Sequence, residues 1–454
     1  MSEHGFIPTR RQLLDRMLLP FQRFLHAQSS SGIVLIVVTV IALVWANSAW
    51  WHTYNEFWHT DVAIQFGKHR LSEPLVHWIN DALMAAFFFV VGLEIKREML
   101  VGELASIGKA TLPIAGAIGG MIVPAAIFAF VNRSNPEALR GWGVPMATDI
   151  AFALGILALL GDRVSLSAKI FLTALAIVDD IGAALVIALF YTEHISAVAL
   201  GVGGVFLLAM IGCNKLGVRS PIPYALLGLG LWLSFLESGV HPTIAGILGA
   251  MAIPARTRIN ADEFVAAGST YVDEFQDSGE LGGDVLTNPT QRGSLKSLEK
   301  ACELAQTPLQ RLESRMHPWV MFAIMPLFAL ANAGVHIAGN MSEAMGSPVV
   351  LGIVGGLVIG KQLGITFFAW LAVRLGLARL PPGLTWRQVY GTACLGGIGF
   401  TMSLFVASLA YRDTVLLASA KVGILLASIV SGFLGWCILR TLCPKADPAS
   451  TIMN

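Results

Sequence analysis

Apolar runs of about twenty residues, each long enough to cross the ~30 Å hydrocarbon core of a bilayer as a helix, recur along the whole chain. Twelve can be placed, at 31–49, 76–95, 111–131, 143–160, 168–190, 195–213, 221–237, 239–254, 318–336, 348–373, 389–410 and 415–440. The seventh and eighth are short and nearly fused. Backbone within lipid must satisfy its own hydrogen bonds, so runs of this length fold as helices. Hydrophobic residues make up 55% of the 454 and Asp, Glu, Lys and Arg only 13%, against about 25% charged in soluble domains. A soluble protein this apolar could not cover its surface. The fold class is an all-α polytopic membrane protein, and the 46 glycines suit helices that approach one another closely.

The loops orient the spans. One set carries Lys96, Arg97, Lys109, Arg163, Lys169, Lys215, Arg219, Arg374, Arg379 and Arg387, whereas the alternate segments TEHIS, ESGVHP and HIAGNMSEAMGS have no Lys or Arg. By the positive-inside rule the first set is cytoplasmic, and both termini join it. Residues 1–30 read as a cytoplasmic tail and not as a signal peptide: Arg10, Arg11, Arg16 and Arg23 interrupt any apolar core. Helices 1–8 occupy 31–254 and helices 9–12 occupy 317–441, with a second tail at 442–454. Between the helical blocks lies a polar cytoplasmic loop, 255–316. It is expected to be flexible near 260–293 and helical from 294, with no second globular domain. A net charge of +1 gives no reason to expect nucleic acid, and five cysteines without CxxC spacing imply no disulfide and no resident metal cluster or cofactor.

One span carries two adjacent acids, Asp179 and Asp180, in KIFLTALAIVDDIGAALVIALF. At 1.5 Å rise per residue they lie roughly 15 Å from either end of the span, near the membrane midplane. An Asp at a helix centre costs about 2.5–3.5 kcal/mol on insertion scales, so two of them imply a function. Other polar groups occur at similar depth. The fourth span reads GWGVPMATDIAFALG, where Gly141, Gly143 and Pro145 weaken the helix before Thr148 and Asp149. Lys361 sits within the tenth. In the eleventh, Gly396, Gly397 and Gly399 interrupt the helix before Thr401 and Ser403.

With the N-terminus inside, spans four and eleven run in opposite directions, and two interrupted helices in corresponding halves point to an inverted-repeat transporter. If they cross at their breaks, two helix N-ends form a positive patch that Asp149 can offset, and two C-ends a negative one that Lys361 can offset. Carboxylates, a Thr hydroxyl and freed carbonyls are the hard oxygen ligands that Na⁺ or Li⁺ prefers. Protons and the cation then compete for one site opened alternately to each face, which is antiport.

GLEIKRE (92–98), GWGVPMATDIAFALG, ALAIVDDIGAALVIALFYT, SGVHPTIAG (238–246), LFALANAG (327–334), IGKQLGI (359–365) and GGIGFTMSLFVASLA together resemble the NhaA family of bacterial sodium/proton antiporters over most of 31–440. The resemblance implies about twelve helices with inverted-topology repeats, crossed discontinuous spans four and eleven, and a cytoplasmic funnel. It implies that Asp179 and Asp180 bind the ion and the proton, with Asp149 and Thr148 accessory and Lys361 the positive partner. It further implies an electrogenic, pH-activated protein of the inner membrane, commonly a homodimer through an outward hairpin within 50–72. The pH response would involve Glu94, Glu98, His241, Glu313 and His317, although Ser314 stands where the family pattern has a further histidine.

Three other classes compete, one of them a channel, which a saturable, counter-ion-dependent flux would exclude. Another ion-coupled secondary transporter of the same architecture is the alternative, but three acids beside Lys361 provide thinly for an organic anion. An intramembrane aspartyl protease would need GxGD and YD motifs, which are absent.

Overall fold

The apolar runs fold as helices whose ends follow from local chemistry. Ser165 opens the helix of the paired acids by accepting from the Ala168 amide at 3.2 Å. Pro221 starts the helix after Lys215, and Gly239, at φ 80°, ends it in a left-handed turn that disfavours a β-carbon. The computed structural model describes residues 28–66, 69–192, 195–279, 285–336, 345–412 and 414–442. Most of the two expected tails therefore lies outside the described residues.

In chain order, α1 (Gln28–Ala46) and α2 (Trp51–Trp58) precede two antiparallel strands, β1 (Asp61–Phe66) and β2 (His69–Pro74). Next come α3 (Leu75–Val101) and α4 (Ile107–Val131). A turn at Pro136–Leu139 continues as a 3₁₀ segment, Arg140–Met146, and is followed by α5 (Ile150–Leu160), α6 (Leu166–Phe190), α7 (Ala197–Lys215), α8 (Pro221–Ser238) and α9 (Thr243–Ala252). Then follow α10 (Ala261–Asp277), α11 (Pro289–Ala305), α12 (Pro308–Trp319) and α13 (Met325–Asn332). The last four are α14 (Pro348–Arg374), α15 (Trp386–Gly396), α16 (Phe400–Ala410) and α17 (Thr414–Leu442). Among the described residues seven helices are long and apolar enough to cross a membrane, or nine if each bent pair, α1 with α2 and α15 with α16, counts as one span. At ten residues α9 is short for a span.

The stretch expected to be flexible near 260–293 is largely helical where it is described. Asn260 accepts from the Glu263 amide at 2.8 Å and Glu263 returns a bond to the Asn260 amide at 3.0 Å, a capping box that starts α10. At the start of α11 the Asn288 side chain accepts from the Thr290 and Gln291 amides at 3.0 and 3.2 Å, without a reciprocal bond.

The chain divides into two compact units, one of 88–97 and 193–317, the other of the remaining residues. The first has its own apolar core, including Leu93, Met210, Leu231, Phe235, Ala250 and Leu309. Within it the Lys96 ammonium closes the C-terminal end of α9, donating to the carbonyls of Met251 at 2.6 Å and Ile253 at 2.5 Å. In the second unit α4 and α14 meet backbone to backbone: a β-carbon at Gly119 or at Gly364 would collide with the other's carbonyl oxygen. That close approach fixes where α14 carries its lysine.

Candidate ion-binding site

Span four and span eleven are both interrupted, and the two interruptions are joined. In the first, the 3₁₀ segment ends at Met146, three residues are non-helical, and α5 begins at Ile150. In the second, α15 ends at Gly396 and α16 begins at Phe400, with a 43° bend between them. The Asp149 amide donates to the Ile398 carbonyl at 2.6 Å, and the Thr148 hydroxyl donates to the Gly396 carbonyl at 2.8 Å. The Ser403 hydroxyl donates to the Val144 carbonyl at 2.8 Å. Carbonyls and amides orphaned by one break thus find partners on the other.

Asp149 serves two helix N-termini at once. One carboxylate oxygen accepts from the Phe152 amide at 3.0 Å and the other from the Thr401 amide at 3.1 Å and the Thr401 hydroxyl. A negative charge shared by two N-terminal ends is the favourable arrangement for converging helix dipoles. From α17, Ser428 accepts the Phe400 amide at 3.1 Å. Thr401 is legible as a polar residue after the glycines, but Ser428 gives no signal: a serine within an apolar helix reads as packing.

Lys361 stands on the opposite charge. It follows a wide π turn, Gly355–Gly360, within α14 and is wholly buried. Its ammonium donates to both carboxylate oxygens of Asp179, at 2.8 Å each, and to the carbonyl of Met146 at the C-terminal end of the 3₁₀ segment. Those three acceptors use all three of its hydrogens. Asp180, also buried, lies close enough to act electrostatically on the same ammonium. Thr148 lies beside Asp179. Asp149, Asp179, Asp180, Thr148 and Lys361 are thus all buried; hydrogen bonds gather Asp149, Thr148, Asp179 and Lys361 around the joined breaks, with Asp180 next to Asp179 in the chain. Of the helix-interrupting residues, Pro145 lies within the 3₁₀ segment, and Gly396, Gly397 and Gly399 lie at the bend. A β-carbon on Gly397 would fall 2.6 Å from the Ser431 hydroxyl and against the Leu357 carbonyl, so the bend needs glycine there.

Of the residues expected to sense pH, three come together in the smaller unit. His317 Nδ1 is 3.4 Å from a Glu94 carboxylate oxygen, and Arg97 pairs with Glu313. The hydrogen bond from the His317 ring to the Glu94 carboxylate raises the His317 pKa, outweighing the opposing effects of burial and of Arg97. Glu98 accepts from the Glu103 amide at 3.0 Å. His241 Nδ1 lies 2.9 Å from the Thr243 hydroxyl at the start of α9. Arg97 reads in the sequence only as one of the cytoplasmic-side cations.

Apolar spans enclosing a buried lysine, three buried carboxylates and two joined helix breaks define a polytopic membrane protein with an ionisable centre. Residues 22–439 match the pattern of the family described as Na⁺/H⁺ antiporter 1. The chain belongs to that family, a family of transporters and not of enzymes. It is 50% identical over 448 residues to a protein of Oleidesulfovibrio alaskensis named Na(+)/H(+) antiporter NhaA, covering 99% of each chain. It is 52% identical over 421 residues to Na(+)/H(+) antiporter NhaA 2 of Syntrophotalea carbinolica, covering 92% of this chain and 96% of the relative. A third relative, Na(+)/H(+) antiporter NhaA of Koribacter versatilis, is 47% identical over 446 residues, 96% of each.

Proposed function

We propose that this protein is an electrogenic, pH-regulated antiporter that extrudes Na⁺ or Li⁺ in exchange for protons by alternating access. The observation that carries the reading is the buried Asp179–Lys361 pair beside Asp180 at the joined breaks. A charge held out of water must be paired or neutralised. In one state protons neutralise the acids. In the other the cation takes their place on Asp180 and Asp179, with Thr148 and break carbonyls as further oxygen ligands. Lys361 holds Asp179 while the cation is absent and gives it up when the cation arrives. Asp149 holds the two N-terminal ends together and supports the site from behind. If Asp179, through its lysine, and Asp180 each release a proton for one Na⁺, every cycle moves net charge.

This reading takes the chain as about twelve spans with spans four and eleven crossed at their breaks, in the bacterial inner membrane with both termini cytoplasmic. The hairpin of β1 and β2 is the contact through which two copies pair. The Glu94, His317, Arg97 and Glu313 group, with Glu98 and His241, is the regulatory element.

Proteoliposomes holding a pre-formed pH gradient test the reading. Na⁺ and Li⁺ should collapse the gradient, choline should not, and the rate should respond to an imposed membrane potential. Asp180→Asn should abolish the collapse with the protein still inserted. A gradient collapsed by an organic solute, and not by either alkali cation, would favour the other transporter class.

A further inference from the structure

Of the eleven tryptophans in the chain, two have an arginine four residues later, and the same two have a phenylalanine three residues earlier. They are Trp370 on α14, with Phe367 and Arg374, and Trp436 on α17, with Phe433 and Arg440. Residues three and four apart share a helix face, and both sets form the same stack. The Arg374 guanidinium lies over the Trp370 ring, 5.4 Å from its centroid, and the Trp370 and Phe367 rings are 6.0 Å apart with 31° between their planes. On α17 the matching values are 4.7 Å, 6.4 Å and 26°. The two helices run the same way within the larger unit: Val350 and Ile353 pack at Gly423, while Leu357 and Ser431 meet at Gly397. Both stacks therefore stand on one side of that unit, at the C-terminal ends of their helices.

The stacks face outward. Phe367, Trp370, Phe433 and both arginines are exposed, and Trp436 is half-buried. Among the described residues no acceptor engages either guanidinium or either indole N–H. Each stripe continues into its span through an exposed aliphatic residue four places earlier, Leu363 on α14 and Ile429 on α17. The stacks thus lie at the rim of lipid-facing surface. From phenylalanine to arginine the helix rises about 10 Å. One headgroup layer is only ~5–8 Å deep, so an arginine among the phosphates leaves its phenylalanine in the acyl chains.

We propose that each stack binds one anionic glycerophospholipid. The guanidinium fork takes the phosphate oxygens, the indole N–H donates to an ester carbonyl, and the phenylalanine packs the upper acyl chain. The donor set decides the class: guanidinium and indole offer N–H groups and no acceptor, so the ammonium of a zwitterionic headgroup finds no partner and meets a like charge. Tryptophan alone would anchor a helix end at the interface whatever the lipid charge. The arginine held over it supplies the selectivity. In the orientation proposed above, the leaflet is the cytoplasmic one. The sites make no use of ion exchange, and a protein that exchanged nothing would still fill them.

Lipid retention by the full-length protein tests the proposal. Offered phosphatidylglycerol and phosphatidylcholine in equal amounts, the wild type should retain phosphatidylglycerol preferentially in native mass spectrometry. Arg374→Gln and Arg440→Gln should each weaken that retention about fivefold, additively in the double variant, with phosphatidylcholine unaffected. Trp370→Leu should act as Arg374→Gln does, since the arginine then loses its plate. Arg379→Gln removes an exposed arginine that stacks on no ring among the described residues, and its retention should stay close to wild type. Equal losses in Arg379→Gln and the stack variants would show a diffuse basic surface and overturn the sites, as would equal retention of both lipids by the wild type. An experimental map of the wild type in phosphatidylglycerol bilayers decides without any substitution. A phosphate oxygen should lie about 3 Å from each guanidinium, and bare guanidiniums overturn the proposal.

Discussion

Residue by residue, the centre is governed by what burial does to charge. Removing one member of a buried ion pair leaves the other uncompensated, at a cost of about 3–5 kcal/mol, whereas replacing both by apolar or neutral groups is often near neutral. Lys361→Met should therefore lower thermal stability markedly. Combining it with Asp179→Asn should restore most of the loss without restoring exchange, as a double-mutant thermal-unfolding cycle would measure. If the double variant is no more stable than Lys361→Met alone, the pair does not hold the breaks together. His317 offers the second test. Glu94 raises its pKa in the folded protein above the ordinary value of about 6.5. Protonated His317 therefore stabilises its surroundings below that ordinary value, and the contribution is lost as pH rises through the folded-state pKa. Amide exchange across 308–317 should be slower in the wild type than in His317→Gln at acid pH, with the two converging at alkaline pH. A difference that does not change with pH contradicts the assignment.

At the level of elements, caps and breaks decide where helices stop, and several of these are plain in the sequence. The Asn260 and Glu263 pair is a capping box three residues apart, yet the glycine- and acid-rich composition around it suggested flexibility. Local capping starts a helix within that composition because two backbone donors are satisfied reciprocally. Asn260→Ala should cost about 1 kcal/mol of helix stability. It should appear as faster amide exchange in α10 with cation-dependent exchange activity intact, and unchanged protection would show that the cap is redundant. The π turn before Lys361 was not legible, since IVGGLVIG fits an ordinary apolar helix equally well. It arises from packing: a β-carbon on Gly356 would fall 2.7 Å from the Pro145 side chain, and one on Gly360 2.9 Å from Pro124.

For the whole molecule, a cation that binds only the folded protein stabilises it by mass action, by about 2.7 kcal/mol at a hundredfold excess over its Kd. Na⁺ and Li⁺ should raise the unfolding temperature, choline should not, and Asp180→Asn should remove the effect. An equal shift with choline would indicate a general salt effect and no specific site. The sequence by itself determined that the chain lives in a membrane, that two acids sit deep in one span, that two other spans are interrupted, and that one lysine lies among apolar residues. These are one-dimensional facts of hydropathy and position, and the cost of burying charge makes them informative. The family resemblance already implied Asp179 as the lysine's partner; tertiary structure alone decided that Met146 supplies its third acceptor, that one aspartate caps two helix ends, and that Ser428 reaches in from the last helix. Each of those contacts joins residues distant in the chain through backbone groups, and a backbone carbonyl or amide is the same in every sequence until folding brings it to a partner.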